Sequence, residues 1–489
     1  MGEGLRKIFI VTPEAVPYAK TGGLADVTGS LIKEFKKAGL DAWLVLPFYS
    51  HVASSGRFTD TGIRIPIKVL SENLEASILE SNDKDYPAYF IRCDRFFIRE
   101  GLYGGPSGDY PDNSLRFSFF SRVVVELLKV LKVRPDIIHL HDWQTALVAF
   151  YIRNFYKDDL FFKNTKTVLT IHNLGYQGLF HPSELPYTGI GLEHFNPEGI
   201  EFYGKVNFLK AGIISADAIT TVSENYTREI LTEEYGYGLQ GLLKKRASRL
   251  YGILNGVDYS IWDPETDRNI PKRYGIKNLD GKAQCKKALI KKHGLQIKES
   301  QPLIGFVGRF AAQKGIELIE RSIPDLVKAG FGLIMIGQGD RIFENAMIKR
   351  QEEFRKNLYV RLGYDEGLAR MVYAGSDIFL MPSRYEPCGL GQLIAMRYGA
   401  VPVARATGGL IDTVEDYDHI NEKGSGFLFK DYNASAMVEA LKRALCLFQR
   451  KRRWHSLIKN SMKKDFSWKN SAGKYIKLFN MLIKETEPV

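Results

Sequence analysis

Lys7-Ile8-Phe9-Ile10-Val11-Thr12 is a short β-branched run that leaves through Pro17-Tyr18-Ala19-Lys20-Thr21-Gly22-Gly23. Beyond that loop, Leu24, Val27, Leu31, Phe35 and Ala38 recur at helical spacing. A strand that empties into a glycine loop and then an amphipathic helix is the first step of a doubly wound α/β domain. The rhythm continues through apolar runs at residues 42–46, 137–140, 167–171 and 218–222. A second series follows Pro302, at residues 303–307, 331–336, 357–361, 378–381 and 401–404, with helical stretches such as 315–328 and 390–398 between them. Strands this apolar belong in parallel sheets covered on both faces, so two doubly wound domains are predicted. Asn255-Gly256 and Pro264 mark the turn between them. Residues 51–111 have no clear βα rhythm and read as an elaboration of the first domain. Residues 265–301 read as a connection plus an amphipathic helix.

The 489 residues, 45% hydrophobic and 25% charged, suit an ordinary globular chain of two to four domains at roughly 100–200 residues each. No apolar run approaches the roughly 18 residues a membrane helix needs. Only residues 8–11 are apolar near the amino terminus, so no signal peptide is expected. Four cysteines form no CxxC and read as reduced thiols, which predicts a cytoplasmic protein. The net charge is +12, and 13 Lys and Arg against one acid, Asp465, lie between Lys442 and Lys484. A nucleic-acid footprint is one reading. Trp454, Trp468 and Tyr475 interleave with the charge, and no known reading motif accompanies it, so the solvated face of folded helices is the better one. The expectation is therefore no nucleic-acid and no membrane partner.

Open α/β sheets bind ligands beyond the carboxyl ends of their strands. The first such loop combines Lys20, Thr21, Gly22, Gly23 and Asp26: a cation, paired glycines and a helix amino terminus, which suit an anion. The second, His139-Leu140-His141-Asp142-Trp143, carries an His-x-His that suits a metal, but with no third ligand nearby a polar substrate site at His141 and Asp142 is favoured. The third is His172-Asn173-Leu174-Gly175. In the second half Arg309 and Lys314 follow a strand, and two fixed cations in a crevice suit a diphosphate. Gly337-Gln338-Gly339 has Ile342 where a dinucleotide fingerprint needs its third glycine, which disfavours a nicotinamide dehydrogenase. Glu386-Pro387-Cys388-Gly389-Leu390 places a carboxylate ahead of a helix, with Cys388 at a helix start that favours thiolate. Thr407-Gly408-Gly409 repeats the glycine-then-helix device. There is no Walker A sequence and no HExxH.

Lys20-Thr21-Gly22-Gly23-Leu24-Ala25-Asp26-Val27, His141-Asp142-Trp143, Glu386-Pro387-Cys388-Gly389-Leu390 and Ala406-Thr407-Gly408-Gly409-Leu410 resemble the motifs of bacterial glycogen synthases and plant starch synthases. Tyr103-Gly104-Gly105, the run from Asp109 to Asn113, and Arg116-Phe117 fit the same family, and the likeness runs in order over nearly the whole chain. The resemblance implies a GT-B fold: two Rossmann-like doubly wound α/β domains facing a cleft, with a C-terminal helix returning to the first. Its expected bounds are residues 1–260 on the acceptor side, 261–465 for the nucleotide sugar and 466–489 for the helix. It implies transfer of glucose from ADP-glucose to the non-reducing 4-hydroxyl of an α-1,4-glucan with retention, with no metal and no cofactor.

By matching positions, the resemblance assigns catalytic roles to Glu386, His172, Asp142, Arg309 and Lys314. Lys20, Gly22 and Gly23 would meet the donor's phosphates and sugar, and Glu14 and Asp26 would position sugar or support that loop. Arg309, Lys314 and the helix start at Thr407, Gly408 and Gly409 would face the departing diphosphate. Tyr364 and the loop of Gly337 and Gly339 would face adenine and ribose. Tyr103, His141, Asn173, Asn255, Cys388, Gly389 and Leu390 complete the expected substrate contacts. Many GT-B relatives carry Glu-x7-Glu, but the residue eight beyond Glu386 is Ile394. With no second carboxylate there, a front-face substitution is favoured over a covalent intermediate. A catalytically silent glucan-binding protein of the same fold and a preference for UDP-glucose remain as alternatives, and the oligomeric state is left open.

Overall fold

The computed structural model describes residues 5–56, 58–105 and 108–485. The chain divides into two compact units, one of residues up to Leu254 together with those from Trp468, the other Asn255–Ser467.

The first unit is built on a nine-stranded sheet. Its order is Leu250–Gly252, Ala218–Thr221, Lys166–Ile171, Ile137–His141, Lys7–Val11, Asp41–Pro47, Ala88–Arg92, Glu72–Ser81 and Phe58–Val69. The first seven pair in parallel, and the last two add antiparallel. The core strands are buried almost throughout, as in Ile8, Phe9, Ile10 and Val11, which is why they read as continuous apolar runs. The antiparallel pair occupies the stretch without βα rhythm. Along Phe58–Val69 exposed and buried residues alternate at the far end, the pattern of a sheet with one wet face. The helix Trp468–Lys484 also belongs to this unit. It buries Trp468, Ala472, Tyr475, Phe479 and Leu482 at helical spacing, with Phe479 5.8 Å from Phe35 and Tyr475 5.0 Å from His139.

The second unit carries a six-stranded sheet, all parallel. The order is Leu358–Leu362, Gly332–Gly337, Leu303–Val307, Ile378–Met381, Val401–Arg405 and Phe427–Phe429. Numbered along the chain within the unit, that is 3-2-1-4-5-6, the Rossmann order. The parallel part of the first sheet follows the same scheme. Strand order reverses between Lys7–Val11 and Ile137–His141 in one unit and between Leu303–Val307 and Ile378–Met381 in the other. Loops that leave adjacent strands in opposite directions open a crevice at such a point. The basic segment near the carboxyl end is helical. Lys451–Lys463 buries Trp454, Leu457, Ile458 and Met462 and leaves most of its Lys and Arg on the opposite, solvated face. Among the described residues no helix is long and apolar enough to cross a membrane.

Candidate active site

The loop after Lys7–Val11 is organised around Glu14, which is only 4% exposed. Its carboxylate accepts from the Thr21 amide at 2.5 Å, the Thr21 hydroxyl at 2.6 Å, the Gly22 amide at 3.2 Å and the Tyr103 hydroxyl at 2.7 Å. Its backbone carbonyl accepts from Thr12 and Thr28 hydroxyls, both at 2.7 Å. One buried acid therefore holds the whole Lys20–Gly23 turn through groups that would otherwise lack partners. Gly22 has extended backbone and open space where a side chain would project, which leaves its surface clear for a ligand. Lys20 pairs with Asp26 at 2.7 Å in solvent, and Asp26 also lies in the first turn of the Gly23–Lys37 helix, where a negative charge suits the macrodipole.

On the neighbouring strand, His139 and His141 project to the same side, with ring centroids 4.2 Å apart. His139 Nε2 meets the Thr170 hydroxyl at 2.7 Å, and Thr170 meets Thr220 at 2.6 Å. His141 Nδ1 lies 2.9 Å from His172 Nε2. Asp142 turns the chain from strand to helix with φ 56° and ψ −175°, a conformation that costs a non-glycine residue about 1–3 kcal/mol. Its carboxylate accepts from the His172 amide at 2.7 Å, and its own amide donates to the Thr170 carbonyl at 3.0 Å. Burial dominates the titration of this group. It pushes the Asp142 carboxyl up to about 7 and holds His139 and His172 down to about 3, with His141 also depressed. His141, an expected substrate contact, is fully buried, and its ring reaches His172. The Asn173 side chain closes a tight turn onto the Gly175 amide at 3.0 Å.

In the second unit, Lys314 and Glu386 form an ion pair at 2.5 Å, with Glu386 6% exposed and also accepting from the Ser383 hydroxyl at 3.0 Å. They arrive from the two loops that flank the strand-order reversal. Arg309, on the same loop as Lys314, meets Gln313 at 2.9 Å and, among the described residues, no carboxylate. Gln392 is fully buried, and its amide donates to the carbonyls of Cys388 and Gly389, each at 2.9 Å, which fixes the loop between Glu386 and its helix. Gly389 adopts φ 74°, so the left-handed turn needs glycine there. Leu390 caps the helix that begins at Gly391.

Several residues expected at the ligand also have packing roles. Cys388 is 5% exposed, and burial pushes its thiol up to about 12, so it is no helix-start thiolate. The Gly409 amide donates to the Glu386 carbonyl at 3.0 Å, and a β-carbon at Gly409 would lie 2.2 Å from the Cys388 carbonyl. Gly409 thus joins two loops, and its amide is already engaged, whereas the helix start was expected to offer it to phosphate. At Gly337 and Gly339 a β-carbon would collide with the backbone of Gly308 and Phe310, so those glycines permit strand-end loops to touch. Tyr364 is 66% exposed just past Leu358–Leu362. Asn255 is buried, and its Oδ1 finds no partner among the described residues. Sequence reading missed Ser383, Gln313, Thr170 and the clasp at Gln392. The one available signal was Gln392, which is the polar residue in an otherwise apolar turn.

Two doubly wound units whose polar groups gather at the reversals of strand order define the GT-B glycosyltransferase architecture. A starch synthase catalytic domain model matches residues 7–245, and a glycosyl transferases group 1 model matches residues 289–461. A glycogen synthase of Thermodesulfovibrio yellowstonii is 46% identical over 98% of this chain and 99% of its own, and one of Geotalea daltonii is 47% identical with the same coverage. The solved catalytic domain of starch synthase IV from Arabidopsis thaliana, bound to ADP and acarbose, superposes with a TM-score of 0.89 at 33% identity, covering 99% of this chain and 100% of that one. A sucrose-phosphate synthase from Thermosynechococcus elongatus shares the fold at a TM-score of 0.61 and 17% identity, covering 98% of this chain and 100% of that one. The chain belongs to the glycogen synthase and starch synthase family of glucosyltransferases.

Proposed function

We propose that this protein transfers glucose from ADP-glucose to the 4-hydroxyl at the non-reducing end of an α-1,4-glucan, with retention of configuration. The observation that carries the reading is the pair of half-buried Lys314 with buried Glu386, and on the Lys314 loop an Arg309 that meets no carboxylate among the described residues, at the strand-order reversal of a Rossmann-ordered sheet. The Arabidopsis relative, solved with ADP and acarbose, supports a nucleotide and a saccharide as substrates.

As the glycosidic bond breaks, negative charge grows on the diphosphate and positive charge on the sugar ring. Arg309 and Lys314 stabilise the first more strongly than they stabilise the ground state, because they are fixed before the charge develops. Glu386, oriented by Ser383, takes sugar hydroxyls and holds the ring so that the acceptor oxygen approaches the face the diphosphate leaves. Ile394 stands where a second carboxylate would make a double displacement possible. Lys20, Gly22 and Gly23 contact the donor, Asp142 and His172 its glucose, and Tyr364 with the 337–339 loop its adenosine.

Initial rates with ADP-glucose and with UDP-glucose on glycogen test the donor. Anomer-resolved NMR of the first product tests retention. Turnover with neither nucleotide sugar refutes the reading, and faster turnover with UDP-glucose refutes its donor.

A further inference from the structure

We propose that His141 is a positioning residue: it fixes the proton of His172 on Nδ1, so that His172 offers an N–H to the bound sugar and not a lone pair. This rests on the reading above in which His172 faces the donor glucose.

His141 Nδ1 and His172 Nε2 are 2.9 Å apart, so one proton lies between them and one ring is the donor. Burial keeps both rings neutral. If His172 Nε2 donated, neutral His141 would carry its proton on Nε2. That atom is buried and finds no partner among the described residues, so an N–H would be orphaned in the interior. If His141 Nδ1 donates, the orphan at His141 Nε2 is only a lone pair. The proton of His172 then sits on Nδ1, the ring nitrogen that makes no hydrogen bond among the described residues. Buried N–H groups without acceptors are rare in folded proteins, which selects the second arrangement.

The rings cannot escape it. His141 is wholly buried, lies 4.2 Å from the His139 ring, and has its backbone carbonyl engaged by Thr145 at 3.0 Å. His172 is rooted by the hydrogen bond from its amide to Asp142. The outcome is a neutral, preorganised donor. A wrong tautomer would turn a lone pair toward an oxygen of the sugar, and the contact would depend on that oxygen's own proton.

Three substitutions separate positioning from packing. The amide of His141→Asn falls near the place of Nδ1 and can still donate to His172. The amide of His141→Gln falls near Nε2, and His141→Phe fills the space without a donor. We expect His141→Asn to keep most of kcat, with His141→Gln and His141→Phe falling tenfold or more, on the order of what misplacement in an active site costs. Thermal stability should follow volume instead, with Asn the least stable of the three. That inversion is not what a merely structural role gives. Selective ¹⁵N-histidine NMR of the full-length protein reads the tautomer directly, with His172→Asn to assign the signal. The parent should show a protonated Nδ1 at His172, and His141→Phe should lose it. A His172 protonated on Nε2 in the parent, or a His141→Gln with the kcat of His141→Asn, overturns the proposal. The NMR result does not need turnover, so failure of the glucosyltransferase reading would be seen separately, as a parent without activity.

Discussion

The two units share a strand order and place polar groups at the same topological point, yet they handle charge in opposite ways. At the reversal in the first unit the groups are buried or half-buried and shifted towards neutrality: three histidines with depressed pKa values and an Asp142 raised to about 7. At the reversal in the second unit the groups are formally charged, with Lys314 and Glu386 paired and Arg309 alongside. The difference follows from what surrounds each loop. His139 and His141 are fully buried and form no ion pair among the described residues, so burial removes their charge. Lys314 and Glu386 meet each other across adjacent strand ends, so burial is offset by the pair. The same fold thus delivers directional hydrogen bonds from one unit and fixed charge from the other.

The largest expected effect lies in the charged unit. Glu386→Gln should lower kcat by on the order of 10²–10³ while melting within a few degrees of the parent, and Lys314→Ala should lower kcat as far but also melt lower, because it leaves buried Glu386 without its cation. Near-parental kcat in either, or activity that falls only in step with unfolding, breaks the contrast. Next comes the turn held by Glu14. Glu14→Ala leaves the Thr21 and Gly22 amides without their acceptor, and a loss of about 1–3 kcal/mol is expected in denaturant titration. Glu14→Gln should recover most of it, since one amide oxygen can still accept while its NH₂ donates to the Thr21 or Tyr103 hydroxyl. Equal losses in the two variants would show that the oxygens are not what holds the turn.

A carboxyl raised to about 7 holds its proton more tightly in the folded than in the unfolded chain. Its contribution to stability is therefore present below the usual carboxylate range near 4 and is lost as pH climbs to about 7. Relative to Asp142→Asn, the parent should lose stability over that window, by at most about 1.4 kcal/mol per pH unit. The histidines act with the opposite sign: their depressed pKa values favour folding above about 6.5 and count against it as pH falls toward 3. That acid limb should persist in both proteins. Parallel stability–pH curves from pH 4 to 7 would show that Asp142 is not raised. The smallest expected effect is that of added ADP on the labelling of Cys388. Iodoacetamide near pH 8 should label exposed Cys446 and leave Cys388 orders of magnitude slower, with or without ADP. Comparable rates at the two thiols would mean the loop opens in solution.

Much of this was legible in the sequence because a parallel strand is apolar on both faces. Residues 303–307 and 378–381 announced themselves as continuous runs and are strands over those same residues. Phe58–Val69 and Glu72–Ser81 were not read, since a sheet edge with one wet face dilutes its apolar residues by alternation. Within the candidate site, residue type suggested chemistry but not direction. Nothing in His139-Leu140-His141 says that both rings turn inward, because period two gives a shared side and not which side. The glycines posed the converse difficulty. Gly337, Gly339 and Gly409, expected beside the ligand, also let neighbouring backbone pass close, a requirement set by residues far away in the chain.

The helix Trp468–Lys484 completes a unit whose other residues end at Leu254. During synthesis the ribosome must make every residue of the second unit before this helix emerges. Through that interval Phe35 and the ring of His139 lack the Phe479 and Tyr475 that cover them in the finished protein. The first unit to be made is the last to be closed, so a chain stopped short of Trp468 would present an uncovered apolar face next to its histidine strand. A nascent or truncated chain of that kind is a natural client for a chaperone.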